Sequence, residues 1–203
     1  MRSKLPFTFV LLAAAFAAHV QAEEPAFVFA DFGKNPSTTN QGADLTQSVY
    51  SERKGDAVVH SISVVGETAI VMGEIGNKKG SQFAGAGVMM THGGATAKDL
   101  SAYKNLRIKM ASPTADYLRL RITGDDTKIL NIGCYPVYTQ KVTPTLTEYN
   151  ITLINFKPEL YCGENARPIE NTLKKAMFVE LMDTGHTRNK PTQIFVGKIE
   201  FTP

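Results

Sequence analysis

Between Asn105 and Thr123 apolar and polar residues alternate with a period of two, which leaves the chain few folds to choose from. Leu106, Ile108 and Met110 take one side of the first run, while Arg107 and Lys109 take the other. Successive side chains of an extended strand point to opposite faces, so this is a strand with one buried face. The next run repeats the pattern, with Leu118, Leu120 and Ile122 alternating with Tyr117, Arg119, Arg121 and Thr123. Strand geometry places the Arg119 and Arg121 side chains on one face, about 7 Å apart. Guanidinium forks recognise carboxylates, sulfates or vicinal hydroxyls by paired hydrogen bonds. The plainer alternative is a solvated face carrying weak ion pairs, each worth under about 1 kcal/mol.

The rest of the chain supplies strands for this block to pair with. Phe27 to Phe32 reads as a strand with Asp31 near its end, followed by a polar, aperiodic loop from Gly33 to Thr46. Val58 to Val65 and Thr68 to Ile75 are β-rich runs separated only by Gly66-Glu67, which predicts a tight hairpin. Phe83 to Thr91 carries small residues where a backbone passes close to a neighbour, and Gly93-Gly94 ends it. Asp99 to Lys104 predicts a single tight turn. The segment from Thr123 to Thr127 is a turn between strands, with Gly124 free to take a positive φ. Lys128 to Ile132, Val137 to Val142, Thr147 to Leu153, Ala176 to Met182 and Gln193 to Phe201 are further strands. Pro158 to Asn171 is an irregular excursion, and Ile169 to Lys175 a short helix. Many short strands, Gly, Pro and Asn punctuation and no long 3.6-residue period predict an all-β jelly-roll sandwich with short helical turns.

Arg2 and Lys4 precede an apolar stretch from Leu5 to Ala18, and Val20-Gln21-Ala22 leads into Glu23-Glu24. This is the pattern of a secretory signal peptide, residues 1–22, cleaved near Ala22 to leave one domain over residues 23–203 in the periplasm or outside the cell. Removing it takes two basic and no acidic residues from a balance of 22 to 19, leaving 20 to 19. A nearly neutral chain carries neither a nucleic-acid footprint nor a polybasic membrane surface. No later stretch is apolar enough to anchor it in a membrane. Cys134 and Cys162 are the only cysteines, and an even count in an oxidising compartment predicts one disulfide.

The runs DLSAYKNLRIKM, YLRLRITGD, TEYNITLINF, FVELMD and IFVGKIEF resemble the galactose-binding-domain-like β-sandwiches. These include carbohydrate-binding modules of glycoside hydrolases and the complex I intermediate-associated protein 30 family. The matching positions are Asp99, Leu100, Ser101, Tyr103 and Leu106, then Glu148, Tyr149, Leu153 and Phe156, then Ile194, Val196, Ile199 and Phe201. The resemblance covers roughly Phe27 to Phe201, and most of its positions are core positions, which specify fold more than function. It implies a glycan ligand or, from the second family, a protein partner in assembly. Sugar-binding relatives often use Trp platforms, whereas this chain has no Trp and carries Tyr149 at the matching place. A structural calcium between the first and last strands is also implied, with Asp31 and Glu200 as oxygen donors of the type calcium prefers. Each is equally at home as an exposed strand-end residue.

Tyr138 and Glu180 would join Arg119 and Arg121 in lining a groove on the polar sheet face. Tyr135, Tyr138 and Tyr161 cluster near the cysteines, suited either to stacking on a sugar or to covering the disulfide. His92 stands where it would rim a site, and no two histidines have the spacing of metal ligands. No nucleophile elbow, HExxH, P-loop or dinucleotide fingerprint occurs, and Asp125-Asp126 fits a turn better than a pair of facing carboxylates. The expected function is therefore non-catalytic recognition of a glycan on a polar sheet face. Protein assembly, and a polysaccharide hydrolase or lyase with an unrecognised site, are the alternatives.

Overall fold

The computed structural model describes residues 25–33, 44–76, 78–92, 96–186 and 189–203. The expected signal peptide, the glycine break at 93–94 and most of the polar loop after Gly33 lie outside the described residues. Eleven strands are described: β1 (Phe27–Ala30), β2 (Leu45–Ser51), β3 (Ala57–Val65), β4 (Thr68–Ile75), β5 (Phe83–Thr91) and β6 (Asn105–Ala111), then β7 (Tyr117–Thr123), β8 (Val137–Lys141), β9 (Thr147–Thr152), β10 (Phe178–His186) and β11 (Lys190–Thr202). They form the two antiparallel sheets of a jelly-roll sandwich. One has the order β3-β4-β11-β6-β9, with β1 also paired to β11; the other has the order β2-β5-β10-β7-β8.

The period-two runs behave as their sequence dictates. Leu106, Ile108 and Met110 of β6 and Leu118, Leu120 and Ile122 of β7 are fully buried between the sheets. They meet Val88 and Met90 of β5, Leu181 of β10, and Val196, Ile199 and Phe201 of β11 in one apolar cluster. Burial of such side chains contributes about 1.5–3 kcal/mol each, so this cluster is the main stabiliser of the fold. Asp183 is a fully buried carboxylate, held by Lys190 Nζ at 2.9 Å and Thr192 Oγ1 at 3.0 Å. Burial pushes its carboxyl above the usual range, with those two hydrogen bonds acting against the shift.

Three local expectations are corrected. Lys128 to Ile132 is not a strand but part of α1 (Thr127–Ile132). The Asp126 carboxylate accepts from the backbone N–H of Lys128 and Ile129, and Gly133 closes the helix at φ 73°. Positive φ therefore falls at Gly133, whereas Gly124 does not adopt it. A Cβ at Gly124 would lie 3.0 Å from the Tyr135 hydroxyl, so close packing accounts for that glycine. β2 is a strand the sequence pattern does not announce, because LTQSVYS lies at a sheet edge with no residue fully buried. The hairpin at Gly66-Glu67, the excursion and the short helix, α2 (Ile169–Leu173), are as expected.

Gly85 and Gly87 explain the small-residue pattern of β5. A Cβ at Gly87 would sit 2.0 Å from the Leu181 carbonyl oxygen, and one at Gly85 would sit against the Met182 thioether. Gly87→Ala is expected to force β5 and β10 apart and to cost about 1–3 kcal/mol, read as a lower urea midpoint at unchanged slope.

Candidate functional site

Because even-numbered residues of β7 face the core, Tyr117, Arg119 and Arg121 face outward from the five-stranded sheet. Registers extend this face across its neighbours. Glu180 of β10 lies opposite Arg121, and Met182 lies opposite Arg119. Ser48 of β2 lies opposite Gly87, and Tyr50 opposite Gly85. Val137 and Thr139 of β8 lie opposite Arg121 and Arg119. Glu180 is the hub of this surface: Oε2 lies 2.9 Å from Arg121 Nη1, and Oε1 accepts from the Ser48 hydroxyl. The Arg121 and Glu180 side chains are only 12% and 9% exposed, so this pair is fixed and desolvated.

Arg119 has a different partner. The disulfide between Cys134 and Cys162 ties the excursion to the loop after α1, with the 3₁₀ turn Leu160–Asn165 at its tip. Backbone pairing of Val137 with Lys157, at 2.8 and 2.9 Å, starts that segment along the edge of β8. From there Glu159 reaches across to Arg119, with Oε1 at 2.8 Å from Nη2. The geometry there makes an ion pair but not a hydrogen bond, since Arg119 Nη2 has no hydrogen-bond partner; nor do Nε of Arg119 or Nε of Arg121. Tyr161, 69% exposed, stands beside Arg121: a Cβ at Gly133 would meet Tyr161 Oη at 3.2 Å and Arg121 Nη2 at 3.4 Å. Tyr50, Phe83 and Tyr117 each leave about half their surface to solvent on the same face.

Of the residues singled out by sequence, Arg119, Arg121, Glu180 and Tyr161 are brought together, and Cys134 and Cys162 pair as expected. Four others are not brought into this group. Tyr138 lies opposite Leu120, which turns it inward against Phe156 at a ring distance of 5.6 Å. Tyr135 is buried in a small separate core with Ile129 and both cysteines. Its oxygen accepts from Asp126 N–H at 2.9 Å and donates to Asp126 C=O at 3.3 Å, and burial pushes the phenol pKa up. It packs with the disulfide. His92 packs on Phe27 and meets the Phe29 carbonyl at 3.1 Å, against β1. Tyr149, placed opposite Ile108, also packs against the core, and its hydroxyl accepts from Thr143 N–H at 3.1 Å.

Glu159, Ser48, Tyr50 and Phe83 were missed. Phe83 was legible in principle, being the first odd-numbered residue of a strand whose even positions are Ala, Ala, Val and Met. Glu159 carries no local signal, because only the disulfide and the backbone pairing at Lys157 bring it to Arg119. Asp125 and Asp126 line a cleft of about 350 Å³ on the far side of Tyr135, and both are neutralised, by Lys175 and Arg167 at 3.3 Å each.

The carboxylates considered for calcium have other roles here. Glu200 accepts from Arg107 Nε at 2.8 Å and pairs with Lys198, while Asp31 accepts from Gly33 N–H at 3.1 Å. Among the described residues no three His, Cys, Asp or Glu side chains converge.

No protein-family model and no curated protein sequence matches the chain. Solved structures do. A family 11 carbohydrate-binding module from Clostridium thermocellum, determined in complex with a β-1,3-1,4-mixed-linked tetrasaccharide, superposes with a TM-score of 0.54 at 12% identity, over 87% of this chain and 95% of that one. The family 11 module of the cellulosomal cellulase Lic26A-Cel5E of the same organism gives 0.53 at 15% identity, over 77% and 86%. The fold is that of a carbohydrate-binding module. In this module-like sandwich the conspicuous outward surface is the arginine face of the five-stranded sheet. Among the described residues no helix is long and apolar enough to cross a membrane.

Two outcomes follow from these ion pairs. Arg121→Ala strands the Glu180 carboxylate in a desolvated place and should cost roughly 3 kcal/mol, whereas Arg119→Ala, whose partner is part-exposed, should cost under about 1 kcal/mol in the same urea titration. Glu200 is disfavoured as an anion by burial, but hydrogen bonds and charge from Lys198 and Arg107 outweigh this and hold its pKa below the usual 4.5. Its contribution is present above that value and is lost as pH falls through the lowered one. Glu200→Gln should therefore lose more stability at pH 7 than at pH 3.

Proposed function

We propose that this protein is an exported, non-catalytic carbohydrate-binding sandwich that takes a glycan on the outward face of its five-stranded sheet. The observation that carries the reading is the combination, on one face, of part-exposed aromatic rings with a fixed polar centre. Tyr50, Phe83 and Tyr117 supply flat apolar area; Arg121, Glu180, Ser48 and Arg119 supply hydrogen-bonding groups between them. A pyranose has the matching chemistry, apolar C–H faces rimmed by hydroxyls, so rings stack on tyrosine while hydroxyls meet the polar centre. A neighbour of the same fold is a sugar-binding module, which supports the same reading. The Cys134–Cys162 disulfide fits an oxidising compartment, as export requires.

Binding without turnover fits the state of Glu180. A general acid or base needs a carboxylate able to exchange its proton with substrate, whereas both Glu180 oxygens are engaged by Arg121 and Ser48.

A glycan array probed with the oxidised protein tests the proposal. Selective retention of one glycan class is expected, with Tyr117→Ala weakening it about tenfold, as loss of a central aromatic anchor does. No binding by folded protein, or binding that survives Tyr117→Ala, Tyr50→Ala and Arg119→Ala together, would move the function to a protein partner on another surface.

A further inference from the structure

We propose that the disulfide-tethered segment 158–162 is a latch over the arginine face, in which Glu159 holds the place of an oxyanion on the ligand. The face then selects sugars bearing a carboxylate or a sulfate ester. This rests on the glycan-binding reading above and narrows its substrate class.

The two arginines are not equivalent. Arg121 is anchored by Glu180, whose other oxygen is taken by Ser48. Arg119 faces only Glu159, at ion-pair distance without hydrogen-bond geometry. Nε of Arg119 and Nε of Arg121 are closed off from solvent with no hydrogen-bond partner, and Nη2 of Arg119 meets Glu159 Oε1 at 2.8 Å outside hydrogen-bond geometry. Buried donors of this kind are nearly always satisfied in folded proteins, and charged ones are the costliest to leave bare. The closed arrangement therefore lacks an acceptor that the face is built to receive.

Glu159 comes from a segment held, besides the disulfide, by a long hydrogen bond from the Tyr161 hydroxyl to the Gly133 carbonyl at 3.4 Å and one turn bond from Cys162 N–H to the Glu159 carbonyl at 3.1 Å. Leu160 is fully exposed and Tyr161 largely so; Cys162 is its buried residue, fixed through the disulfide. Paired backbone at Lys157 and the bond at Cys162 bracket Glu159 on both sides, so it can lift from Arg119 without the segment leaving the site. The chemistry of the displacing group follows. A neutral hydroxyl would exchange a charge-assisted contact for a weaker one, whereas a carboxylate or sulfate replaces like with like and brings oxygens enough for the bare donors. Tyr161, carried on the same segment, would then close against the sugar ring.

Calorimetric titration of the intact oxidised protein with oligogalacturonate, a sulfated galactan oligosaccharide and a neutral mixed-linked β-glucan tetrasaccharide tests this. The expected result is preference for one or both anionic ligands, the two arms separating uronate from sulfate. Glu159→Gln, at a part-exposed position outside the core, should tighten anionic binding several-fold and change neutral binding by less. Hydrogen exchange at the amides of residues 159–162 should rise on adding the anionic ligand to the wild type. Neutral binding without anionic preference, or a Glu159→Gln protein that binds anionic sugar equally or more weakly, would overturn the latch and leave the glycan-binding reading standing. Failure to bind any glycan, with the fold intact by circular dichroism, would overturn both.

Discussion

The outward face depends on one register, the pairing of β10 with β7 that sets Glu180 opposite Arg121 and Leu181 opposite Leu120. Strand side chains alternate strictly, so a slip of one residue would turn Glu180 into the core and Leu181 into solvent. The slip is prevented from both sides. Leu181 and Leu120 are fully buried between the sheets, and the desolvated ion pair closes only in this register. On the other side of β10, its pairing with β5 places Met182 against Gly85, and Gly87 close under the Leu181 carbonyl, so the β5 glycines fix the same strand from its second edge. Apolar packing and the polar face are thus two consequences of one alignment.

The alternating runs were legible because a half-buried strand writes its two environments directly into the chain. That legibility ends where a strand lacks two distinct environments. β2 lies at an edge with no fully buried residue, and its sequence carries no alternation to read. It also ends where parity is set by the partner strand: Tyr138 and Thr139 are adjacent polar-tolerant residues, and only the pairing of Tyr138 with Leu120 turns the ring inward. α1 illustrates a third cause. The run KILNI is short enough to suit helix or strand, and the Asp126 side chain decided the outcome by satisfying the first free N–H groups.

The candidate site was legible only in the part that lies on strands. Arg119, Arg121 and Glu180 share a face because strand period and sheet order place them there. Glu159 is forty residues from Arg119 in sequence and reaches it through a disulfide and an edge pairing, neither of which leaves a periodic trace. The cysteines themselves sit in a small core with Ile129 and Tyr135, apart from the main apolar cluster. The sandwich holds its shape through the large cluster, while the disulfide holds a loop beside the arginines.

That division bears on why the face has the composition it does. A surface selected only for stability and solubility would bury or replace half-exposed aromatic rings and would give every buried guanidinium nitrogen an acceptor. Here the two departures fall together. Tyr50, Phe83 and Tyr117 leave apolar area in water on the same sheet face where Arg119 and Arg121 leave donors bare. Departures from local consistency of this kind concentrate at functional sites in folded proteins generally. The outward side of the other sheet provides the comparison. There Glu200 is satisfied by Arg107 and Lys198, and the charges cancel at short range. On the five-stranded sheet, Nε of Arg119 and Nε of Arg121 lack such a partner.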